Sequence, residues 1–248
     1  MLPRVPQLER VDKPKIANFM IWILAEIGRG QTSSVSRKLQ YAIIEGMALL
    51  LLIRHGMTDV VNKQLSGWTA GIQLNAQGRE EVESLGNQLK NVQLAAIYCS
   101  PLERTVETAE AIAAPHGLKV VASEGVGEIR YGDWTGLWGK DVEHDPVWHR
   151  WNAHRGESRC PNGESMIELQ ARMVGNLLDI ASRHADQTVA VVSHGDPIRS
   201  AVAHFLGVSL AMVLRIEIDP ASVSAVRIEP WGVKVLCLNR RVSAQFQF

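Results

Sequence analysis

The chain has 248 residues, 26 basic and 26 acidic, for a formal net charge of +0. That length suffices for one α/β domain or two small ones with a sizeable core. The neutral balance removes the electrostatic case for a nucleic-acid or membrane-surface partner. Cys99, Cys160 and Cys237 form neither an even disulfide framework nor a metal-ligand spacing, so a reducing cytoplasm is the expected location. No segment approaches the roughly 20 apolar residues of a spanning helix. The nearest, Ile16 to Ile27, is short, carries Glu26 and lacks the small-residue cleavage site of a signal peptide.

Residues 1–46 differ from the rest, with Pro3, Pro6 and Pro14, scattered charge, and one apolar stretch ahead of a polar QTSSVSRK segment. They read as a weakly ordered N-terminal extension with one helix around Lys15 to Ile27, or as a stretch upstream of a start at Met47. The domain proper is expected over 47–240, with a tail over 241–248. Leu49 to Thr58 reads LLLLIRHGMT, an apolar run ending in Arg54, His55 and Gly56. Such a run reads as a strand buried on both faces of a parallel sheet, and its carboxyl end lies at the rim where open α/β sheets bind ligands. A five-donor cation beside a titratable nucleophile suits phosphoryl chemistry. Taken alone, the tripeptide reads more simply as a turn with a solvated Arg and a satisfied His. A second copy changes the balance: Val189 to Arg199 reads VAVVSHGDPIR, again a buried run ending in His-Gly and leading into a helix.

Between these strands, SGWTAG at Ser66 to Gly71 lies in a loop, and Gly78 precedes a helix with Val82, Leu85 and Leu89 on its apolar face. Ala95 to Cys99 reads as a strand. Ser100 and Pro101 read as N-cap and first position of a helix that places Glu103 and Arg104 in its opening turns and buries Val106, Ala109, Ile112 and Ala113. Arg104 thereby reaches the same rim. Leu118 to Val121 reads as a third strand. Glu128 to Gly136, EIRYGDWTG, opens an aperiodic segment running to Gly163, with Trp134, Trp138, Trp148 and Trp151 among Lys140, His149, Arg150, His154, Arg155 and Arg159. This segment is either a lid or pocket wall whose basic residues meet a small anionic substrate, or a solvated loop pinned by its tryptophans. After the Asn162-Gly163 turn, Glu164 to Arg183 is an amphipathic helix with Met166, Leu169, Met173, Leu177 and Ile180 on one face, the methionines being core filling. Leu214 to Asp219, Val223 to Ile228 and Lys234 to Leu238 read as closing edge strands. The whole is a three-layer α/β/α sandwich with a mostly parallel central sheet.

Five motifs occur in a fixed order: Arg-His-Gly at 54–56, Ser-Pro-Leu-Glu-Arg at 100–104, Glu128 ahead of Tyr-Gly-Asp-Trp-Thr-Gly, Gly-Glu-Ser at 163–165, and Ser-His-Gly at 193–195 with Ile198-Arg199. Together they resemble the histidine phosphatase superfamily, with its phosphoglycerate mutase-like fold, over roughly Met47 to Leu238. The resemblance implies that His55 is a nucleophile that becomes phosphohistidine. It makes Arg54, Arg104 and His194 the groups that hold the phosphoryl, Glu128 the proton donor, and Thr58, Asn62 and Gly195 further substrate contacts. Physical chemistry agrees, since a phosphoryl group in flight needs positioned cations more than covalent help. No carboxylate cluster suits Mg²⁺ and no Zn²⁺ set occurs, so metal-free covalent catalysis with no cofactor is expected. His55 must be neutral with its other N–H held by a hydrogen bond, whereas His194 is expected to work as a charged donor. Glu128 is expected to have a pKa raised by burial under the lid. Asp196 is read as a cap of its helix rather than as a second acid.

The chain departs from the family pattern at Met57 and Val61, where many relatives carry Glu and Asn, with Asn62 one place beyond. It departs again at Gly71 and Gln73, where Asp and Pro are common, which leaves the loop's rigidity open. No Arg-Arg pair occurs between Glu128 and Gly163 to grip a bisphosphate. Hydrolysis of a small phosphorylated metabolite is therefore expected ahead of phosphoglycerate mutase activity, although Ser66-Gly67-Trp68 resembles the mutase loop. A non-catalytic phospho-ligand module is the third reading, disfavoured because a silent relative has no physical reason to keep nucleophile and acid together. The sequence leaves oligomeric state and the identity of the phosphorylated alcohol open.

Overall fold

A computed structural model describes residues 46–241. The extension with its expected helix at Lys15 to Ile27, and the tail from residue 242, lie outside the described residues. The chain is built from β1 (Ala48–Arg54), α1 (Ala76–Leu89), β2 (Leu94–Cys99), α2 (Glu103–Ala113), β3 (Val120–Ala122), α3 (Gly139–Val142), α4 (Pro146–Ala153), α5 (Met166–Arg183), β4 (Gln187–Ser193), α6 (Gly195–Leu206), β5 (Val223–Glu229) and β6 (Gly232–Arg240). The sheet is six-stranded in the order β3-β2-β4-β1-β5-β6. β3, β2, β4 and β1 run parallel, and β5 and β6 add an antiparallel hairpin.

The apolar runs of β1 and β4 are uninterrupted because both faces of the sheet are covered. Leu50, Leu52, Val189 and Val191 pack with Leu169, Met173 and Leu177 of α5 and with Ile198 and Ala201 of α6. Leu51, Ile53, Ala190 and Val192 pack on the opposite side with Leu85 of α1 and with Ala109, Ile112 and Ala113 of α2. This is the three-layer sandwich that the alternation of strands and helices predicts. Among the described residues no helix is long and apolar enough to cross a membrane.

Several elements differ from the sequence reading: α1 begins at Ala76, so Gly78 lies inside it rather than before it, and β3 is Val120–Ala122 rather than Leu118 to Val121. Ser100 does not cap α2, which starts two residues later behind Leu102. Thr105 holds that turn instead, its hydroxyl donating to the carbonyls of Ser100 and Leu102. Leu214 to Asp219 is not a strand: residues Leu210–Arg215 form a 3₁₀ turn capped by Ser209. Beyond it, the carbonyls of Ile216 and Ile218 accept from the guanidiniums of Arg199 and Arg54 rather than from a neighbouring strand. The segment after Gly136 is not wholly irregular, since α3 and α4 interrupt it, the latter capped by Asp145 with Pro146 in its first turn. Helix α5 begins at Met166, two residues after the expected Glu164, behind a reciprocal Ser165–Glu168 capping box.

Candidate active site

The site follows from strand register. In the parallel β1–β4 ladder Arg54 lies opposite Ser193, so the next residue of each strand is a histidine, and both leave the sheet together. The His55 N–H donates to the Ser193 carbonyl at 3.0 Å. The imidazoles of His55 and His194 meet edge to face with centroids 5.3 Å apart. Both are buried, at 4% and 0% exposure.

The His55 Nδ1–H donates to the Gly56 carbonyl at 2.7 Å, because a carbonyl can only accept. That bond fixes the tautomer and leaves the Nε2 lone pair free for attack. A side chain at Gly56 would place its Cβ 2.8 Å from the Gly78 carbonyl and from Val82, so the bare backbone is what lets α1 seat beneath His55. Arg54 donates Nη1 to Ile218. Gly195 opens α6 beside it, where a Cβ would stand 3.5 Å from the guanidinium carbon. Arg104 is 1% exposed and donates Nη2 to the Gly67 carbonyl at 2.9 Å.

Arg54 Nε, Arg104 Nη1, the Thr58 hydroxyl and both ring nitrogens of His194 are buried without a hydrogen-bond partner. Buried donors are almost always satisfied. Unsatisfied donors such as those on Arg54, Arg104 and Thr58 are of the kind that the oxygens of a tetrahedral oxyanion satisfy. Asn62, expected here, sits exposed in a left-handed turn at φ +61° and bonds none of these groups.

Glu128 is the carboxylate beside this pair of imidazoles. Its Oε1 accepts the Ile129 N–H at 2.9 Å, and its Oε2 lies 3.8 Å from His194 Nδ1. Burial, reinforced by the charge of Asp196, pushes its carboxyl up to about 7, against the pull of Arg104 and Arg54. Burial together with Arg104 and Arg54 holds His55 well below its ordinary value, which keeps the nucleophile neutral. The same forces act on His194: burial, then Arg104, His55 and Arg54, hold it well below 6.5. The expectation of a charged His194 is therefore corrected for the free site, where two guanidiniums already repel a third cation.

Asp196 is not a helix cap. It lies in the first turn of α6 with one oxygen 3.0 Å from Arg155 Nη1 and the other 2.6 Å from Arg199 Nη1, and the Tyr131 hydroxyl 3.4 Å away. Burial opposes its charge, but the two guanidiniums outweigh burial and hold its carboxyl below the usual range. The basic residues expected to meet a substrate are largely committed or outside. Arg155 is buried on Asp196, Arg159 pairs with Glu168, and Lys140, His149, Arg150 and His154 are exposed. Trp134 packs edge-on against Trp148 and Trp151, so the tryptophans anchor this wall.

Trp68, Tyr131, Glu164 and Arg172, to which the sequence reading gave no role, contact Glu128, Asp196 or the backbone beside them. The Trp68 indole N–H donates to the Glu128 carbonyl at 2.7 Å, and Arg130 stacks over that ring at 4.5 Å. The Ser66-Gly67-Trp68 turn thus ties Arg104 to Glu128. Its downstream loop is pinned despite lacking Asp and Pro, because Glu103 accepts the Gly71 N–H and Glu107 the Leu74 N–H.

A family model described as the histidine phosphatase superfamily, branch 1, matches residues 50–241. The chain belongs to the histidine phosphatase superfamily. Phosphoserine phosphatase 1 of Hydrogenobacter thermophilus is 31% identical over 195 residues, covering 78% of this chain and 92% of that protein. The adenosylcobalamin/alpha-ribazole phosphatase of Escherichia coli is 26% identical, covering 77% and 96%. A crystal structure of a mutant phosphoserine phosphatase from Entamoeba histolytica in complex with phosphoserine superposes with a TM-score of 0.70 at 26% identity, covering 77% and 96%. This chain is accordingly a histidine phosphatase, a phosphoric monoester hydrolase with the phosphoglycerate mutase-like fold.

Proposed function

We propose that this histidine phosphatase hydrolyses a small phosphomonoester through a phosphohistidine on Nε2 of His55. The observation that carries the reading is the pair of strand tips that brings His55 and His194 to 5.3 Å among buried donors with no partner. Arg54, Arg104, Thr58 and His194 grip the phosphoryl oxygens. The Nε2 lone pair attacks phosphorus while the ester P–O bond breaks, and protonated Glu128 gives its proton to the leaving alkoxide. Water then attacks phosphorus as Glu128 takes its proton, the P–N bond breaks with its electron pair returning to Nε2, and inorganic phosphate leaves with His55 restored. Positive charge from two guanidiniums, and from His194 once the dianion is bound, stabilises the equatorial oxygens in both steps.

Phosphoserine is the first substrate to assay, because relatives over most of their length carry phosphoserine phosphatase names. Hydrolysis is favoured over isomerisation of a phosphoglycerate because the wall after Glu128 commits Arg155 to Asp196 and Arg159 to Glu168, leaving no paired arginines for a second phosphate. Release of inorganic phosphate from phosphoserine and from a nitrophenyl phosphate, lost in His55→Ala, is the expected result. Isomerisation of 3-phosphoglycerate without phosphate release would overturn hydrolysis in favour of mutase activity, and no turnover of any ester would overturn both.

A further inference from the structure

Glu128 sits in a loop of irregular backbone, yet general acid catalysis needs its carboxyl aimed to within a fraction of an ångström. The stretch from Glu124 to Glu128 has every carbonyl taken by a side chain. Arg172 of α5 donates Nη1 to the carbonyls of Glu124, Gly125 and Gly127, at 3.0, 3.2 and 3.0 Å, and Nη2 to that of Glu128 at 3.1 Å. Ser193, at the tip of β4, takes the Val126 carbonyl at 2.6 Å, and Trp68 adds a second bond to that of Glu128.

Arg172 is itself oriented. Glu164 accepts from its Nε and Nη2, both at 2.9 Å, the two-pronged geometry that a guanidinium makes and an ammonium does not. The same Glu164 carboxylate accepts the Arg130 N–H at 3.1 Å, two residues past the acid. The Glu164 N–H returns a bond to the Arg130 carbonyl at 2.7 Å. A Cβ at Gly163 would stand 2.3 Å from that carbonyl, so this approach requires glycine. The Gly163-Glu164-Ser165 motif thus brackets Glu128 on both sides while touching none of the groups that face the phosphoryl cradle.

We propose that the Glu164–Arg172 ion pair is a positioning clamp, holding the backbone on either side of Glu128 so that its carboxyl meets the leaving oxygen. The proposal rests on the assignment of Glu128 as the acid. Its signature is dependence on the leaving group. A nitrophenolate departs without a proton, whereas an alkoxide such as that of phosphoserine does not. A clamp that aims the acid therefore matters to alkyl esters and little to activated aryl esters, whereas a general weakening of the fold lowers both alike.

The test is kcat/KM, which reports the steps up to phosphoryl transfer, for an alkyl and a nitrophenyl phosphate in Arg172→Ala, Arg172→Lys, Glu164→Gln and Glu128→Gln. Arg172→Ala is expected to lower the alkyl value about 100-fold and the nitrophenyl value about 5-fold. Arg172→Lys recovers part of the alkyl loss, and Glu164→Gln, which keeps the guanidinium, gives a smaller split in the same direction. These two carry the test where Arg172→Ala does not fold. Equal losses on both esters, beside a clear split in Glu128→Gln, would overturn the clamp alone. A Glu128→Gln enzyme with no split would overturn the acid assignment and the clamp with it.

Discussion

Replacing Glu128 by glutamine is expected to stabilise the protein at alkaline pH while it impairs catalysis. The substitution keeps the side-chain shape and an acceptor for the Ile129 N–H at 2.9 Å, but removes the titrating proton. Burial, with Asp196 behind it, raises this carboxyl from 4.5 to about 7, a rise worth about 3 kcal/mol at roughly 1.4 kcal/mol per pH unit. The group is only 15% exposed, so solvent screens little of this. The folded pKa lies above the unfolded one, so between pH 4.5 and about 7 the folded chain holds a proton that the unfolded chain has released. The contribution of this group to stability is therefore full below pH 4.5 and lost as pH rises through about 7. Glutamine is neutral in both states and loses nothing. Urea unfolding at pH 4.5 and pH 8 reads the difference: Glu128→Gln and the parent are expected to match at the acid end. The variant gains about 3 kcal/mol at the alkaline end. A gap independent of pH, or a variant less stable at pH 8, would refute a proton held by burial.

The same carboxyl predicts an alkaline limb near pH 7 in kcat/KM for alkyl esters, absent in Glu128→Gln. Asp196→Asn removes the anion that helps raise it, so this limb is expected to move to lower pH. It also strands Arg155 and Arg199, at a cost of about 3–5 kcal/mol in unfolding free energy. Arg104→Lys keeps the charge but loses the fork that joins the Gly67 carbonyl to the site; kcat/KM is expected to fall about 100-fold, with a stability loss of about 1–3 kcal/mol from the broken buried bond. Gly78→Ala would place a Cβ 2.1 Å from the Met57 carbonyl, an overpacking expected to cost about 1–3 kcal/mol in denaturant unfolding.

The strands that deliver the histidines were legible because sheets covered on both faces demand uninterrupted apolar runs, and Leu49 to Ile53 and Val189 to Val192 contain no polar residue. Their pairing supplies the rest, since two strands in register end together. Leu214 to Asp219 shows where pattern and structure part. Its alternation correctly buries Ile216 and Ile218, but alternation reports burial and not the partner of a carbonyl. Here the partners are the guanidiniums of Arg199 and Arg54. The neutral state of His194 in the free site has a related cause: residue type says what can titrate, while the balance of burial and two neighbouring guanidiniums exists only in the folded chain. Glu164 stood out within the Gly163-Glu164-Ser165 motif, but Arg172 left little trace, because most of its contacts are backbone carbonyls, which carry no residue signature.

The central claim is a covalent bond between phosphorus and His55. Rapid mixing with phosphoserine or a nitrophenyl phosphate, quenching in alkali and peptide mapping by mass spectrometry tests it directly. A phosphoryl group is expected on the peptide holding His55, stable to base and labile to acid, formed no more slowly than turnover and absent in His55→Ala. Steady turnover with that peptide unmodified, or with the phosphoryl on another residue, would contradict it.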